Sequence, residues 1–309
     1  MEVFLSTLNQ TGFLFSLIVI GFVLAKFKFI PDNSGTVLAK LENTVFVPAL
    51  VMGTFIKYFT VEQIGSASKL FLISFAIAFI TIPIAILISR LITKDKYVQN
   101  IFTYGLVFSN FGFMGNAVVS ALFPEVFMNY LIFTLPLWML IYLWGVPVLL
   151  IADAGEKQTL KTRLKSFANP MFVCMIIGMI IGICSFKLPA FCVNVIDTAG
   201  SCMSPIAMLL TGITVSNMNV KKAFGDIRIY TVTAIRLLVI PFVFFGIAKL
   251  IPFDSTVYLC AICSLAMPLG LNTIVIPSAY GKDTTVAAGM AVISHFLSCF
   301  TIPLIFAII

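Results

Sequence analysis

Ser264-Leu-Ala-Met-Pro-Leu-Gly-Leu-Asn-Thr-Ile-Val-Ile-Pro-Ser-Ala-Tyr-Gly281 is a hydrophobic run that Pro268, Gly270, Asn272 and Pro277 interrupt. In a soluble protein such a stretch makes a loop or a kinked helix. Here the flanking segments are apolar enough to sit in lipid, which cannot hydrogen-bond a broken backbone. A proline removes an amide donor and strands a carbonyl, so an interrupted helix at membrane depth must face protein or a wet cavity. Interruptions at corresponding positions in two halves of a chain point to a transporter's binding site. The first half supplies Ser109-Asn-Phe-Gly-Phe-Met-Gly-Asn116.

Working outward, 61% of the 309 residues are hydrophobic and only 10% charged, against roughly 25% charged in soluble domains. Mean hydropathy is +1.12. The chain reads as an all-α integral membrane protein. Apolar runs of about 20 residues number ten, near 10–30, 35–56, 67–91, 98–122, 127–151, 168–186, 190–216, 228–251, 255–280 and 284–308. No soluble domain of any size is left over. The N-terminus lacks the basic region and cleavage site of a signal peptide, so the first span is expected to be retained.

The net charge of +7 is topological and does not signal nucleic acid. With the N-terminus outside, the inner loops hold fourteen Lys and Arg and the outer loops four, Lys57, Lys69, Lys187 and Lys249. That asymmetry predicts a multi-pass plasma-membrane protein with both termini outside. The seven cysteines read as small packing residues. Cys260-x-x-Cys263 has redox or metal spacing, yet no second pair accompanies it and His295 is the single histidine.

The interruptions recur along the chain. Gly21 answers to Gly178, Pro48 to Pro205, Pro83 to Pro241, Asn116 to Asn272 and Pro147 to Pro303, at offsets of 156 to 158 residues. Each half holds five spans, and an odd number forces the second copy to enter the membrane with opposite polarity. The expected architecture is a 5+5 inverted repeat with broken, crossing helices four and nine. Residues 1–151 and 168–309 are the two repeats, and 152–167 are a charged cytoplasmic linker carrying Asp153, Glu156, Lys157, Lys161, Arg163 and Lys165. In such repeats the site lies at the interface of the halves, near mid-bilayer.

Around the first break, Gly112 and Gly115 expose backbone while Asn110 and Asn116 offer amide donors and acceptors. Pro268, Gly270, Asn272 and Thr273 do the same around the second. Two half-helix N-termini directed into one cavity favour an anion. Asn43 adds a carboxamide near the proline kink of span two. Three titratable residues are candidates for coupling: His295, for its near-neutral titration; Glu42; and Arg236, costly at membrane depth. For Glu42 snorkelling to the interface is the simpler expectation, and for His295 a structural hydrogen bond; for Arg236 snorkelling stands level with pairing to an acid or attracting anions. Asp197 is expected at the interface. No nucleotide-binding loop, metal-ligand cluster or Ser/His/Asp set appears, so neither cofactor nor metal nor enzymatic activity is expected.

These residues resemble the auxin efflux carrier family, which includes plant auxin carriers and bacterial malate and malonate permeases. Asn110 with Met114-Gly115 is similar to the Asn-Thr-Leu-Val-Met-Gly crossover of the plant members. Pro268-x-Gly270 matches their Pro-Gln-Gly, and Asn272 with Tyr280-Gly281 resembles the bacterial ones. Ser109, Ala117 and Thr273 stand where the plant pattern has proline, and the long plant cytoplasmic loop is absent. The resemblance implies the fold of bile-acid sodium symporters. Spans one, two, six and seven would form a scaffold, and the other six a transport domain that moves as an elevator. It also makes Asn110 the leading contact for a substrate carboxylate.

The expected function is secondary transport of a small organic carboxylate anion, with the lipid bilayer as surroundings and no nucleic acid. A homodimer through the scaffold helices is the further partner expectation. The alternatives are a sodium-coupled symporter of the bile-acid type and a ligand-sensing membrane receptor without turnover.

Overall fold

The computed structural model describes residues 2–66, 68–151, 170–217, 225–251 and 253–308. The linker 152–167, with its six charged residues, and the basic pair Lys221 and Lys222 lie outside the described residues. In chain order the principal helices are α1 (Glu2–Lys26), α2 (Ser34–Tyr58), α3 (Ser68–Ile92), α4 (Lys96–Val107), α5 (Phe111–Leu122), α6 (Pro124–Ile151), α7 (Pro170–Ile183), α8 (Ala190–Ser216), α9 (Ile227–Leu250), α10 (Ser255–Leu265), α11 (Asn272–Ala279) and α12 (Thr285–Ile308). The described residues form no extended strand. One isolated antiparallel bridge joins Ser109 and Leu269.

Seven of these helices are long and apolar enough to cross a membrane: α1, α2, α3, α6, α8, α9 and α12. The three other expected spans are shorter for identifiable reasons. Residues 98–122 and 255–280 are each divided at the breaks, into α4 and α5 and into α10 and α11. The sixth is described only from Pro170, as the 14-residue α7. Helix α3 shows the membrane character most plainly, because Leu72, Phe79, Ile80, Leu87 and Leu91 all stand exposed on its surface. Water would not tolerate such a row of large side chains, whereas hydrocarbon does.

Prolines shape the long helices. A π-turn at Glu42–Phe46 precedes Pro48 in α2, and another at Ile235–Val239 precedes Pro241 in α9. A proline ring removes a donor and pushes against the preceding turn, which widens to accommodate it. That widening turns residues that a regular helix would present elsewhere.

Glycines allow the closest helix contacts. Helix α1 lies along the later half of α8, where a Cβ on Gly21 would stand 2.1 Å from the Leu209 oxygen. Helix α7 lies along the later half of α2, where a Cβ on Gly178 would stand 2.8 Å from the Met52 oxygen. Gly21 and Gly178 are 157 residues apart, and so are Met52 and Leu209. The two contacts therefore exchange one pair of positions. Such backbone-close crossings are how helices associate in lipid, where apolar burial gives no drive. A fully buried aromatic group, Phe102, Tyr104, Phe108, Phe111, Trp138 and Tyr142, lies where α4 and α5 meet α6.

Candidate functional site

Helix α4 ends at Val107 and α10 at Leu265, and the two unwound segments that follow run antiparallel beside each other. The Asn110 amide donates to the Pro268 oxygen at 2.8 Å, and the Gly270 amide donates to the Phe108 oxygen at 3.2 Å. Ser109 Oγ donates to the Ser264 oxygen at 2.7 Å. Each break thus supplies partners for the other, as buried backbone requires. Gly270 is obligatory here, because a Cβ on it would stand 2.8 Å from the Phe108 oxygen.

The ends of α4 and α10 still leave carbonyls without helical partners. Arg236 of α9 supplies them, donating from Nη1 to Leu106 at 3.0 Å, from Nη2 to Ser264 at 3.3 Å and Leu265 at 3.1 Å, and from Nε to Met267 at 3.2 Å. At 1% exposure it does not snorkel. Two helix C-termini carry about half an elementary charge each, so together they offset one guanidinium. The positive ends of α5 and α11 have no such counter-charge among the described ion pairs.

Three of the expected asparagines lie around this crossing. Asn110 is buried and its Nδ2 stands 2.7 Å from His295 Nε2. Asn272, at the start of α11, donates from Nδ2 to the Tyr104 hydroxyl at 2.8 Å. Asn43 donates from Nδ2 to Ala39 at 2.7 Å and to Val275 at 2.9 Å, which ties α2 to α11. In all three residues and in Asn116 the carboxamide oxygen is buried without a partner among the described residues. Thr273 Oγ1 donates to the Gly270 oxygen at 2.9 Å and steadies the entry into α11.

Other residues play parts that the sequence did not disclose. Gly112 faces the Trp138 ring and Gly115 the Tyr130 hydroxyl, so both let α5 approach α6. Tyr130 also donates to the Phe111 oxygen at 3.1 Å. Asn116 stands away from the bridge and lines a cavity of about 160 Å³ between α2 and α8 on one side and α5 and α6 on the other. Lys57 and Asp197 line it too, joined by a half-exposed ion pair at 2.7 Å. Glu42 corrects the snorkelling expectation, being fully buried with both carboxyl oxygens unpartnered among the described residues. The π-turn it begins is packed by α7, α8 and α11. Tyr104 and the His295–Asn110 contact had no sequence signal, since their partners lie 168 and 185 residues away.

The described residues contain no group of three His, Cys, Asp or Glu that could hold a metal. The arrangement can present backbone amides and carboxamides to a small polar or anionic solute, in a low-dielectric setting where such contacts are strong. No curated protein matches the chain. A protein family described as membrane transport protein matches residues 8–306, nearly the whole chain. The chain therefore belongs to this family of membrane transporters, the auxin efflux carrier family.

Proposed function

We propose that the protein is a secondary carrier of a small organic carboxylate anion in the plasma membrane, working by an elevator-type exchange of access. The observation that carries this reading is the bridge between the two breaks, held by Asn110, Pro268, Phe108 and Gly270. It leaves two helix C-termini neutralised by Arg236 and the N-termini of α5 and α11 free to attract negative charge. Neutral amides hold a carboxylate without the desolvation cost of a buried ion pair, and they release it again. Export of a monoanion could run on the membrane potential, at about 2.3 kcal/mol per 100 mV.

The same proposal includes ten spans, both termini outside and an inverted repeat. The exchange of positions between the Gly21–Leu209 and Gly178–Met52 contacts supports the repeat, because a two-fold relation between halves requires each contact to appear twice. The scaffold comprises α1, α2, α7 and α8, which pack on one another across the halves, and two copies pair through it. The cavity beside Asn116 lies between that scaffold and α5 and α6, where an elevator would slide.

The test is a thermal-shift screen of carboxylates on purified protein, with and without sodium and at two pH values. A bound ligand raises the melting temperature. Asn110→Ala and Asn272→Ala are each expected to abolish the shift while leaving the unliganded melting temperature near wild type. Wild-type affinity in both variants refutes the site. A sodium-coupled symporter is the second reading, favoured by the unpartnered oxygens of Glu42, Asn43 and Asn272. Anion uptake that collapses without sodium would select it.

A further inference from the structure

Among the described residues, the carboxamide oxygens of the two crossover asparagines, Asn110 and Asn272, have no partner. A carboxylate needs donors, so as it stands each asparagine presents the wrong end. Rotating a carboxamide by half a turn exchanges its oxygen and its NH2. For Asn272 the exchange is easy, because the Tyr104 hydroxyl can donate to the oxygen as readily as it accepts from Nδ2.

Asn110 is different, because its partner is a ring nitrogen. His295 Nδ1 stands 2.7 Å from the Ala291 oxygen. A carbonyl can only accept, so Nδ1 carries hydrogen. The Ser294 hydroxyl, at 3.5 Å from Nδ1, is too distant to reverse this. A neutral imidazole with hydrogen on Nδ1 has a bare Nε2, which must accept. Facing it at 2.7 Å is therefore the Asn110 NH2, and the oxygen is turned toward the site. If Nε2 gains a proton, the relation inverts: Nε2–H donates to Asn110 Oδ1, and the two Nδ2 hydrogens become free for a ligand.

We propose that His295 couples one proton to each bound carboxylate by setting the orientation of Asn110. The inference rests on the reading of the crossover as an anion site. The proton comes from water, sits on Nε2 while the anion is bound, and leaves when the anion leaves. Among the described residues, no carboxylate pairs with the imidazole to take the anion's place. Helix α9 brings Arg236, already held by four carbonyls, together with Arg228, paired to Asp226, Tyr230 and Lys249, which lies over the Phe245 ring. Helix α1 brings only Glu2 and Lys26, at its ends. Helix α8 brings Asp197, held by Lys57, with Cys192 and Cys202. Helix α11 has no titratable residue, and α12 itself adds Cys299. His295 acts through Asn110 and is a positioning residue.

Because the chain has one histidine, ¹⁵N-histidine NMR of tag-free protein in nanodiscs reads its state directly. Phenylacetate, benzoate and malate serve as probes from about pH 6.5 to about 8, where their carboxyls are already ionised. Without a probe, one ring nitrogen is expected to carry hydrogen; with a bound probe, both. Calorimetry in buffers of different ionisation heat should count about one proton taken up per anion, with affinity falling about tenfold per pH unit. In His295→Gln, binding should lose both the uptake and the slope. Probe binding with the imidazole still neutral and no proton uptake overturns the inference but leaves the anion site standing. Uptake that persists in His295→Gln and vanishes in Glu42→Gln also overturns it. If no probe binds in either sodium or its absence, the anion site and the inference fall together.

Discussion

Arg236 holds Leu106: a guanidinium on α9 donates at 3.0 Å to the carbonyl that closes α4, while its other nitrogens reach the end of α10. One side chain thus terminates both broken helices. Removing it strands several buried carbonyls, each costing about 1–3 kcal/mol. Arg236→Met is expected to lower stability by roughly 3 kcal/mol or more, read as a fall in melting temperature in detergent. Arg236→Lys, which keeps a charge but not the fork, should recover only part of it. Wild-type melting in Arg236→Met would remove the arginine from this role.

Gly270 meets Phe108 where the breaks pair. In Gly270→Ala the new methyl would stand 2.8 Å from the Phe108 oxygen, in a place where the two nearest atoms are backbone. Overpacking of this kind costs about 1–3 kcal/mol, and the bridge should open. The comparison is Gly246→Ala, where a Cβ meets nothing within 4 Å. Equal melting temperatures for the two variants would contradict the bridge geometry.

Gly21 and Gly178, which the proposed repeat would relate, offer a paired experiment. Gly21→Ala and Gly178→Ala each drive a methyl against a neighbouring helix backbone, at 2.1 and 2.8 Å from carbonyl oxygens. Both should destabilise by about 1–3 kcal/mol, and the double variant should be near the sum because the sites share no partner. Disruption by one alone, with the other silent, would argue that the two contacts are not equivalent.

Glu42 is buried without any partner among the described residues, and an unpaired dry carboxylate is several kcal/mol too costly to keep. Its neutral isostere is therefore expected to be tolerated. Glu42→Gln should change stability by less than about 1 kcal/mol, whereas Glu42→Lys should prevent folding. Size-exclusion profiles of the two variants distinguish these outcomes.

Asp226 precedes α9 and accepts from the Arg228 amide at 3.0 Å, while Arg228 Nη2 donates to it at 2.7 Å. The side-chain hydrogen bonds from Arg228 hold its carboxyl below the usual carboxylate range, against a smaller opposing effect of burial. A lowered value means that its stabilisation is present above the unfolded carboxyl's titration and is lost as pH falls through the folded one. Asp226→Ala should cost about 1 kcal/mol at neutral pH through the lost cap, and the gap to wild type should close in acid. A gap that stays constant down to low pH would refute the ionised cap.

Much of this protein was legible before folding. Hydropathy fixes the membrane class because only lipid-facing or buried helices can be apolar on all sides. The prolines and glycines around Ser109 and Pro268 locate both breaks, since they act locally on backbone donors. The recurring offsets of the interruptions are likewise a property of the chain alone. What only the tertiary structure decided is which groups answer the needs those breaks create. Arg236 becomes a cap once two helix ends stand beside it, and His295 faces Asn110 across 185 residues. Glu42, readable as an interfacial residue, is turned inward by a widened turn and covered by three helices. Local sequence states that a donor is missing. It cannot state who supplies it, because hydrogen-bond partners in a membrane interior are chosen by proximity in space.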